Sequence, residues 1–318
     1  MKTVIAILLL CAALPALAQS YPSKPVKLIV PFPPGGAVDY YARAVQPRLA
    51  ESLGQPILIE NRAGAGGMVG TDAVAKSPPD GYTLLVGNIA ALAMNVGIYS
   101  KMTYDPVKDL TPILRTVAVN YVMAVYPSVP ARSVAELVAY ARANPGKLSY
   151  GSAGSGSAPH LATELLKQRA GIDVLHVPFK GGGPMVTDLL GGQIDMVIAD
   201  QANLMPHVKA GRLRALAVGT LERSSVHPEL PTIAESGFPG FEARAWQGIV
   251  GPAGMAPDLV KRLNAAFTRA MASPEVHQRL LEGGLDPIAG TPEAFGEFIR
   301  AEIAKWSKVA KDVGARAD

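Results

Sequence analysis

Short apolar runs alternate with segments of helical periodicity along most of this chain. The runs at residues 26–30, 57–60 and 82–87 are too short for helices and predict buried strands. Between residues 38 and 53, apolar residues instead recur every three or four positions, which predicts a helix packed by one face. Because strand and helix alternate in both halves, the sequence predicts an α/β fold with two mostly parallel sheets.

The first run ends in a turn rich in proline and glycine. Residues 26–39 read V-K-L-I-V-P-F-P-P-G-G-A-V-D. The prolines stop both a strand ladder and a helix interior, while Gly35 and Gly36 adopt backbone angles closed to other residues. A helix that begins at the carboxyl end of a parallel strand offers unpaired N–H groups and the positive end of its dipole, which together form an anion site. An ordinary strand-to-helix turn capped by Asp39 is the alternative interpretation.

A second turn of the same design follows the strand predicted at 148–150. It reads G-S-A-G-S-G-S-A-P-H over residues 151–160. Small residues let the backbone approach a ligand closely. Ser157 can cap the helix that follows, and Pro159 fits its first turn.

Two crossings divide the chain into two predicted domains. An alternating run at 117–126 leads into the second domain, and a strand at 213–218 leads out of it. Residues 19–115 with 221–318 then form one domain, and residues 116–220 form a second domain inserted into it. Two connections make a hinge, and ligands of open α/β sheets bind at the carboxyl ends of strands, so we expect the two turns to face each other across a cleft.

The N-terminal segment has the pattern of a secretory signal peptide. Met1-Lys2 precedes an apolar run too short to span a bilayer, and Ala16-Leu17-Ala18 supplies the small residues that a signal peptidase needs. We expect residues 1–18 to be removed on export to the periplasm. Cys11, the only cysteine, would leave with them, so the mature chain would have neither a disulfide nor a thiol nucleophile.

Charge and motif spacing argue against several other classes of function. The 30 basic and 26 acidic residues are scattered without a basic block, which disfavours nucleic acid and membrane surfaces as partners. The glycine-rich segment 61–70 fails the dinucleotide fingerprint because Val69 stands where the third glycine belongs. The histidines lack metal-ligand spacing, and no serine lies in G-x-S-x-G. The sequence therefore predicts no cofactor, no metal site and no catalytic residue.

Several motifs resemble those of one receptor family and cover essentially the whole mature chain. They are P-F-P-P-G-G-x-x-D at 31–39, E-N-R-x-G-A-G-G at 60–67, P-P-D-G-Y-T-L-L at 78–85, Y-x-S-x-G-x-G-S-x-x-H-L at 150–161, H-V-P-F-K-G at 176–181, D-L-L-G-G-Q at 188–193 and L-R-A-L-A-V at 213–218. The chain resembles the Bug-type extracytoplasmic solute receptors of tripartite tricarboxylate transporters. The resemblance implies two α/β domains of the periplasmic-binding-protein type II kind. It also implies a monomer that closes on a small mono- or dicarboxylate, with a membrane transporter as its partner.

The resemblance assigns ligand contacts to both turns. In such receptors the turns hold a carboxylate between backbone N–H groups, hydroxyls and ordered waters. Motif positions and strand ends give these candidate ligand-binding residues: Phe32, Gly36, Ala37, Val38, Asp39, Asn88, Ala91, Ser152, Ser155, Gly156, Ser157, His160, Phe179 and Asp200. Ala37 and Val38 replace a serine and a threonine that relatives often have, and residues 88–91 lack hydroxyls often found there. We therefore expect a less polar pocket.

Two of these residues have a structural alternative. His160 is either a ligand contact or a hydrogen-bonded structural histidine. Asp200 either binds a ligand amine or caps the helix at Asn203. Lys180 begins a further turn, K-G-G-G at residues 180–183. We expect it to be a solvated or structural lysine rather than an anchor for the anion.

Two functions fit the sequence. One is a binding protein that delivers a small organic anion to a membrane transporter. The other is a secreted hydrolase or other anion-processing enzyme on a similar frame. An enzyme needs a nucleophile and a base, or a metal, within reach of each other in the cleft, so we expect the binding protein.

Overall fold

The structure, a computed structural model, describes residues 21–179, 181–224, 227–312 and 314–316. The predicted signal peptide with Cys11, and Lys180, lie outside the described residues. The strands are β1 (Val26–Val30), β2 (Ile57–Asn61), β3 (Thr83–Asn88), β4 (Leu110–Val119), β5 (Tyr121–Val125), β6 (Ser149–Ser152), β7 (Leu175–Pro178), β8 (Met196–Asp200), β9 (Arg214–Val218), β10 (Ala245–Pro252) and β11 (Leu285–Pro287). The α-helices are α1 (Ala37–Leu53), α2 (Met68–Ala75), α3 (Asn95–Ile98), α4 (Val134–Ala143), α5 (Ala158–Ala170), α6 (Gly182–Leu190), α7 (Gln201–Lys209), α8 (Pro257–Ala272), α9 (Pro274–Glu282) and α10 (Pro292–Asp312). A turn of π-helix at Ala90–Met94 leads into α3.

The strands form two sheets, which confirms the predicted α/β class. The first sheet has the order β11-β4-β10-β3-β1-β2, and the second has the order β7-β6-β8-β5-β9. We name the first sheet with α1–α3 and α8–α10 the first lobe. The second sheet with α4–α7 is the second lobe.

Both sheets are mixed, so the prediction that they are mostly parallel is wrong in detail. β1 pairs in parallel with β2 and β3, and β6 pairs in parallel with β7 and β8. β10 and β4 run antiparallel to their neighbours in the first sheet, as β5 does in the second. These strands lie next to the crossings, so they enter or leave a sheet at the end that faces the other lobe. The parallel strands, by contrast, are each followed by a helix.

The crossings between the lobes differ from the predicted ones. β4 runs in the first sheet to Val119, and β5 begins in the second sheet after Asn120 alone. The strand predicted at 117–126 is therefore two strands, and the boundary predicted at 115 falls inside β4. After β9, Val218 forms a bridge with Thr232, and residues 233–237 form turns. We accordingly move the proposed domain crossings to Asn120 and to the chain just before β10.

The two connections lie side by side. The carbonyl oxygen of Tyr121 accepts the Gly219 N–H at 2.9 Å, and the Gly219 carbonyl oxygen accepts the Ala243 N–H at 2.8 Å. A Cβ atom at position 219 would lie 2.2 Å from the Ala243 carbonyl oxygen, so only glycine fits at this position between the two connections. Both links between the lobes thus pass through one narrow region, as a hinge requires.

A single apolar core extends from the first lobe into the second. It includes Leu28 of β1 and Val45 of α1 as well as Tyr150 of β6 and Leu161 of α5. The opposite face of the second sheet has its own core, which packs against α6 and α7. Because the sheets are buried on both faces, packing holds the strands β1, β3, β6 and β8 in place. The ends of these strands form the site.

Candidate functional site

A cavity of about 870 Å³ lies between the lobes, at the carboxyl ends of β1, β3 and β8 and next to the turn after β6. Its wall contains the N-cap residues of four helices: Gly36 of α1, Ser157 of α5, Gly181 of α6 and Asp200 of α7. None of the four helix starts has a hydrogen bond from a side-chain cap. Because each helix start carries about half a positive charge, the wall favours an anion without any cationic side chain.

The start of α1 is held by a buried carboxylate. Asp39 accepts the Gly35 N–H at 3.0 Å, the Arg43 Nε–H at 2.9 Å and the Asn61 Nδ2–H at 3.0 Å. Asn61 also donates to the Phe32 carbonyl oxygen at 3.0 Å. Burial opposes ionisation of Asp39, but the hydrogen bonds from Arg43, Gly35 and Asn61 lower its pKa overall. Asp39 therefore positions the turn and does not line the cavity.

The turn before α5 reaches across the cavity. A Cβ atom at Gly156 would lie 2.3 Å from Cδ1 of Ile98 in the first lobe, so the lobes touch here. The Gly156 N–H donates to Nδ1 of His160 at 2.9 Å and is not free for a ligand. Ser157, in contrast, has a buried Oγ without a hydrogen-bond partner among the described residues.

A stack of three rings, Tyr150, His160 and His176, supports this turn from below. The His160 and His176 centroids are 4.1 Å apart, and those of Tyr150 and His176 are 4.8 Å apart. Ser152 is fully buried, pairs through Oγ with His176 Nε2 at 2.7 Å and donates to the Gly154 carbonyl oxygen at 3.0 Å. Burial lowers the pKa of His160, and burial together with His160 lowers the pKa of His176 to about 4. Both imidazoles are therefore neutral at neutral pH.

Asp200 brings a carboxylate into the wall. Its side chain is half-buried, and it makes no hydrogen bond or ion pair with any described residue. Burial alone raises its pKa to about 6. Tyr121 lies opposite it on β5, and Asn203 and His207 of α7 line the cavity beside it.

The structure brings most, but not all, of the sequence-predicted contacts to the cavity. Those that line it are Phe32, Gly36, Ala37, Val38, Asn88, Ser155, Gly156, Ser157 and Asp200. Those that do not are Asp39, Ala91, Ser152, His160 and Phe179. Asp39, Ser152 and His160 instead hold the two turns in place. Ala91 is buried in the π-helical turn, and Phe179 packs against the core of the second sheet.

The structure also adds wall residues that the sequence did not reveal. Gln247 of β10 pairs with Asn88 of β3, and its buried side-chain oxygen has no donor among the described residues. Trp246 lines the same wall and donates its Nε1–H to Glu302 at 2.7 Å. The antiparallel pairing of β10 with β3 cannot be read from local periodicity.

Comparison with known proteins decides the family. Residues 41–315 match the family described as Tripartite tricarboxylate transporter family receptor. The chain belongs to this family. The resemblance seen in its motifs is thereby confirmed.

Relatives and solved structures of this receptor family align with nearly the whole chain. BugT of Bordetella pertussis is 39% identical over 305 residues, which cover 96% of this chain and 94% of BugT. An R. palustris protein with adipate is 39% identical, with a TM-score of 0.86 over 93% of this chain and 99% of that one. MatC from Rhodopseudomonas palustris with bound malate is 33% identical, with a TM-score of 0.81 over 91% of this chain and 99% of MatC.

The family and its ligand-bound structures identify a periplasmic solute-binding receptor. Receptors of this family bind small carboxylates and work with tripartite transporters. Within the described residues, no cluster of three or more His, Cys, Asp or Glu side chains could hold a metal ion. In the same part of the chain, no helix has the length and apolar character needed to cross a membrane.

Proposed function

We propose that this receptor captures a small organic anion, a mono- or dicarboxylate, between its lobes and delivers it to a tripartite tricarboxylate-type membrane transporter. The observation that carries the proposal is the convergence of four helix N-termini on one cavity. The described wall of that cavity contains no arginine or lysine. The adipate and malate bound by two structural neighbours support a carboxylate as the ligand.

The physical basis of binding is a set of main-chain donors that the fold fixes in advance. The first-turn N–H groups of a helix have no partner within the helix, so a carboxylate that accepts them satisfies donors that otherwise need water. Hydrogen bonds to a charged group contribute about 1.5–3 kcal/mol each. Since the donors come from both lobes, the complete site requires both lobes.

The proposal extends to location and assembly. We propose that residues 1–18 direct export to the periplasm, that the mature receptor is a monomer, and that it works without a cofactor. The two lobes act as domains that close about Asn120 and the chain before β10, where the crossings lie side by side.

The enzymatic alternative gains nothing from the one serine–histidine pair found near the site. Ser152 and His176 are within hydrogen-bond distance, but Ser152 is fully buried and does not line the cavity. A nucleophile must reach its substrate, so this pair supports the turn and does not suggest a hydrolase.

A thermal-shift screen of the mature chain against mono- and dicarboxylates tests the proposal. A solute at about 100 times its dissociation constant adds about 2.7 kcal/mol of stability, which is readily measured. We expect at least one carboxylate to raise the melting temperature and its carboxamide analogue to have no effect. A receptor stabilised by carboxamides as well as by carboxylates would contradict anion recognition.

A matched pair of variants at Ala37 then tests the backbone donors. Ala37 is the first residue of α1, and Gly36 before it is extended, with φ −81° and ψ 171°. Proline is therefore tolerated at position 37 and removes one N–H group, whereas serine keeps it. Ala37→Pro should weaken the carboxylate found in the screen by about tenfold or more, and Ala37→Ser should not.

A further inference from the structure

The cavity wall carries charge of only one sign on its described side chains. Asp200 is the one aspartate or glutamate there, and arginine and lysine are absent from the described wall. Asp39 accepts hydrogen bonds from three donors, whereas the Asp200 carboxylate has no donor among the described residues. A carboxylate in such a place is an acceptor without a donor among the described residues, so a ligand in the cavity can supply one.

The neighbours of Asp200 do not supply that donor. Tyr121 faces it from β5, and His207 lies on α7, while Gly182 and Met185 of α6 offer no titratable group. Lys180 is outside the described residues. Asp200 is also the N-cap residue of α7, yet it forms no cap hydrogen bond with that helix. The capping role is therefore not the reason for an acidic side chain at this position.

A second acceptor lacks a donor in the same wall. The side-chain oxygen of Gln247 is buried, and Gln247 itself is 1% exposed. Gln247 lies on the first lobe and Asp200 on the second, so the cavity presents unpaired acceptors on both sides. The other three helix starts at the cavity offer N–H donors and have an uncharged residue at the N-cap position. These residues are Gly36, Ser157 and Gly181.

We propose that the ligand is an aminocarboxylate, whose carboxylate meets the neutral helix starts and whose ammonium group pairs with Asp200. This inference rests on the proposed function and names its solute class. It distinguishes this receptor from one that prefers a dicarboxylate. A second carboxylate in the same closed cavity would face Asp200 without a compensating cation, and two nearby carboxylates cannot both stay ionised at low cost.

Matched sets of solutes test this assignment on the wild-type mature chain. Each set shares one carbon chain attached to a carboxylate. Pentanoate, 5-aminopentanoate and adipate, which share a four-carbon chain, form one set, and norvaline adds the ammonium group beside the carboxylate. Sets one and two carbons shorter complete the panel. Calorimetry well above pH 6 should give an aminocarboxylate that binds about tenfold or more tightly than its unsubstituted and dicarboxylate counterparts.

The variant Asp200→Asn keeps the shape of the side chain and removes its charge. We expect the preference for the ammonium group, measured as the ratio of the affinities for the aminocarboxylate and for its unsubstituted counterpart in the same protein, to fall by about tenfold. For the wild type, affinity for the aminocarboxylate should fall as the pH drops through about 6, because Asp200 must be ionised. In Asp200→Asn that fall in affinity should be absent. This result would show that the pH dependence comes from Asp200 and not from His207.

The outcomes distinguish this inference from the proposed function. Equal or tighter binding of the unsubstituted acids or dicarboxylates by the wild type would overturn the inference and leave carboxylate capture standing. A preference for aminocarboxylates that survives in Asp200→Asn would overturn the role of Asp200. Failure of every carboxylate in the panel and in the wider screen would overturn both.

Discussion

At the scale of single residues, Ser157 shows how position and role can separate. It occupies the N-cap of α5, where serine normally accepts a backbone N–H, but its Oγ makes no such bond. Ser133 occupies the N-cap of α4, and its Oγ does accept a backbone N–H, that of Glu136, at 3.1 Å. The free hydroxyl of Ser157 is thus left for something that occupies the cavity.

We expect Ser157→Ala to weaken carboxylate binding with little loss of stability. One hydrogen bond is worth about 0.5–1.5 kcal/mol, which corresponds to roughly two- to tenfold in affinity. The matched variant Ser133→Ala should do the opposite, because loss of a working cap costs about 0.5–2 kcal/mol of stability. Thermal unfolding and calorimetry of both variants give the comparison. Equal destabilisation of the two with unchanged affinity would make Ser157 purely structural.

The sequence predicted correctly which residues lie at the cavity where the role of the residue depends on its main chain. Gly36 and Gly156 were predicted from the turn motifs, and both line the cavity. The places of Ala91 and His160 could not be read from the sequence, because they depend on the exact direction of a side chain. A π-helical turn after β3 buries Ala91, and the stack with His176 turns His160 towards Gly156.

At the scale of elements, the turn before α5 depends on the protonation state of His160. Its Nδ1 accepts the Gly156 N–H, so this nitrogen carries no proton while the bond exists. Glu164 and Lys167 are the charged groups at the ring stack. Glu164 accepts the Tyr150 hydroxyl, and Lys167 pairs with Glu164 at 2.7 Å. A proton on His160 Nδ1 would break the bond that fixes the turn.

We expect acid to destabilise the receptor through these histidines. An unfolded histidine binds a proton near pH 6.5, whereas burial holds the pKa of His160 below that value and of His176 at about 4. Between those values the unfolded state binds more protons, so stability present above pH 6.5 is lost as the pH falls towards 4. Thermal unfolding across this range measures the loss.

His160→Asn is the matched variant, because its Oδ1 can accept the Gly156 N–H without titrating. The difference in stability between wild type and variant should shrink as the pH falls. Asp200 has the opposite dependence in part of this range, and the comparison cancels it because both proteins contain Asp200. Parallel pH profiles of the two proteins would show that His160 does not contribute.

Element types were predictable because their periodicities are local, whereas their pairing is not. Helix α4 begins after its N-cap Ser133 and α9 begins at Pro274, and both residue types favour a helix start. The three-residue strand β11 was missed, and the direction of β10 was not apparent, since both depend on contacts with β4, more than a hundred residues away in the chain. The mixed sheets follow from those distant pairings.

At the scale of the whole molecule, Gly156 of the second lobe meets Ile98 of the first lobe at the cavity. Gly156 has φ +75°, and a side chain there would meet Ile98 of the opposite lobe. The lobes can therefore adopt this closed approach only if position 156 lacks a Cβ atom.

We expect Gly156→Leu to fold but not to close. Small-angle scattering of the wild type should show a smaller radius of gyration with a confirmed ligand, and the variant should show no change. Gly171→Leu is the matched control, because Gly171 has φ +61° but no atom within 4 Å of a Cβ atom. It carries a similar backbone cost of about 1–2 kcal/mol without the clash, and it should still close. An unchanged radius in the ligand-saturated wild type would indicate a rigid, preformed pocket.

The four uncapped helix starts have a consequence for how such receptors diversify. Apart from proline, every residue keeps its main-chain amide, so most side-chain substitutions in the wall leave these anion donors in place. On our proposal, side chains of the wall such as Asp200 and Gln247 then decide which anion is preferred. After gene duplication, a descendant can change its solute one substitution at a time, and every intermediate along that path still holds a carboxylate.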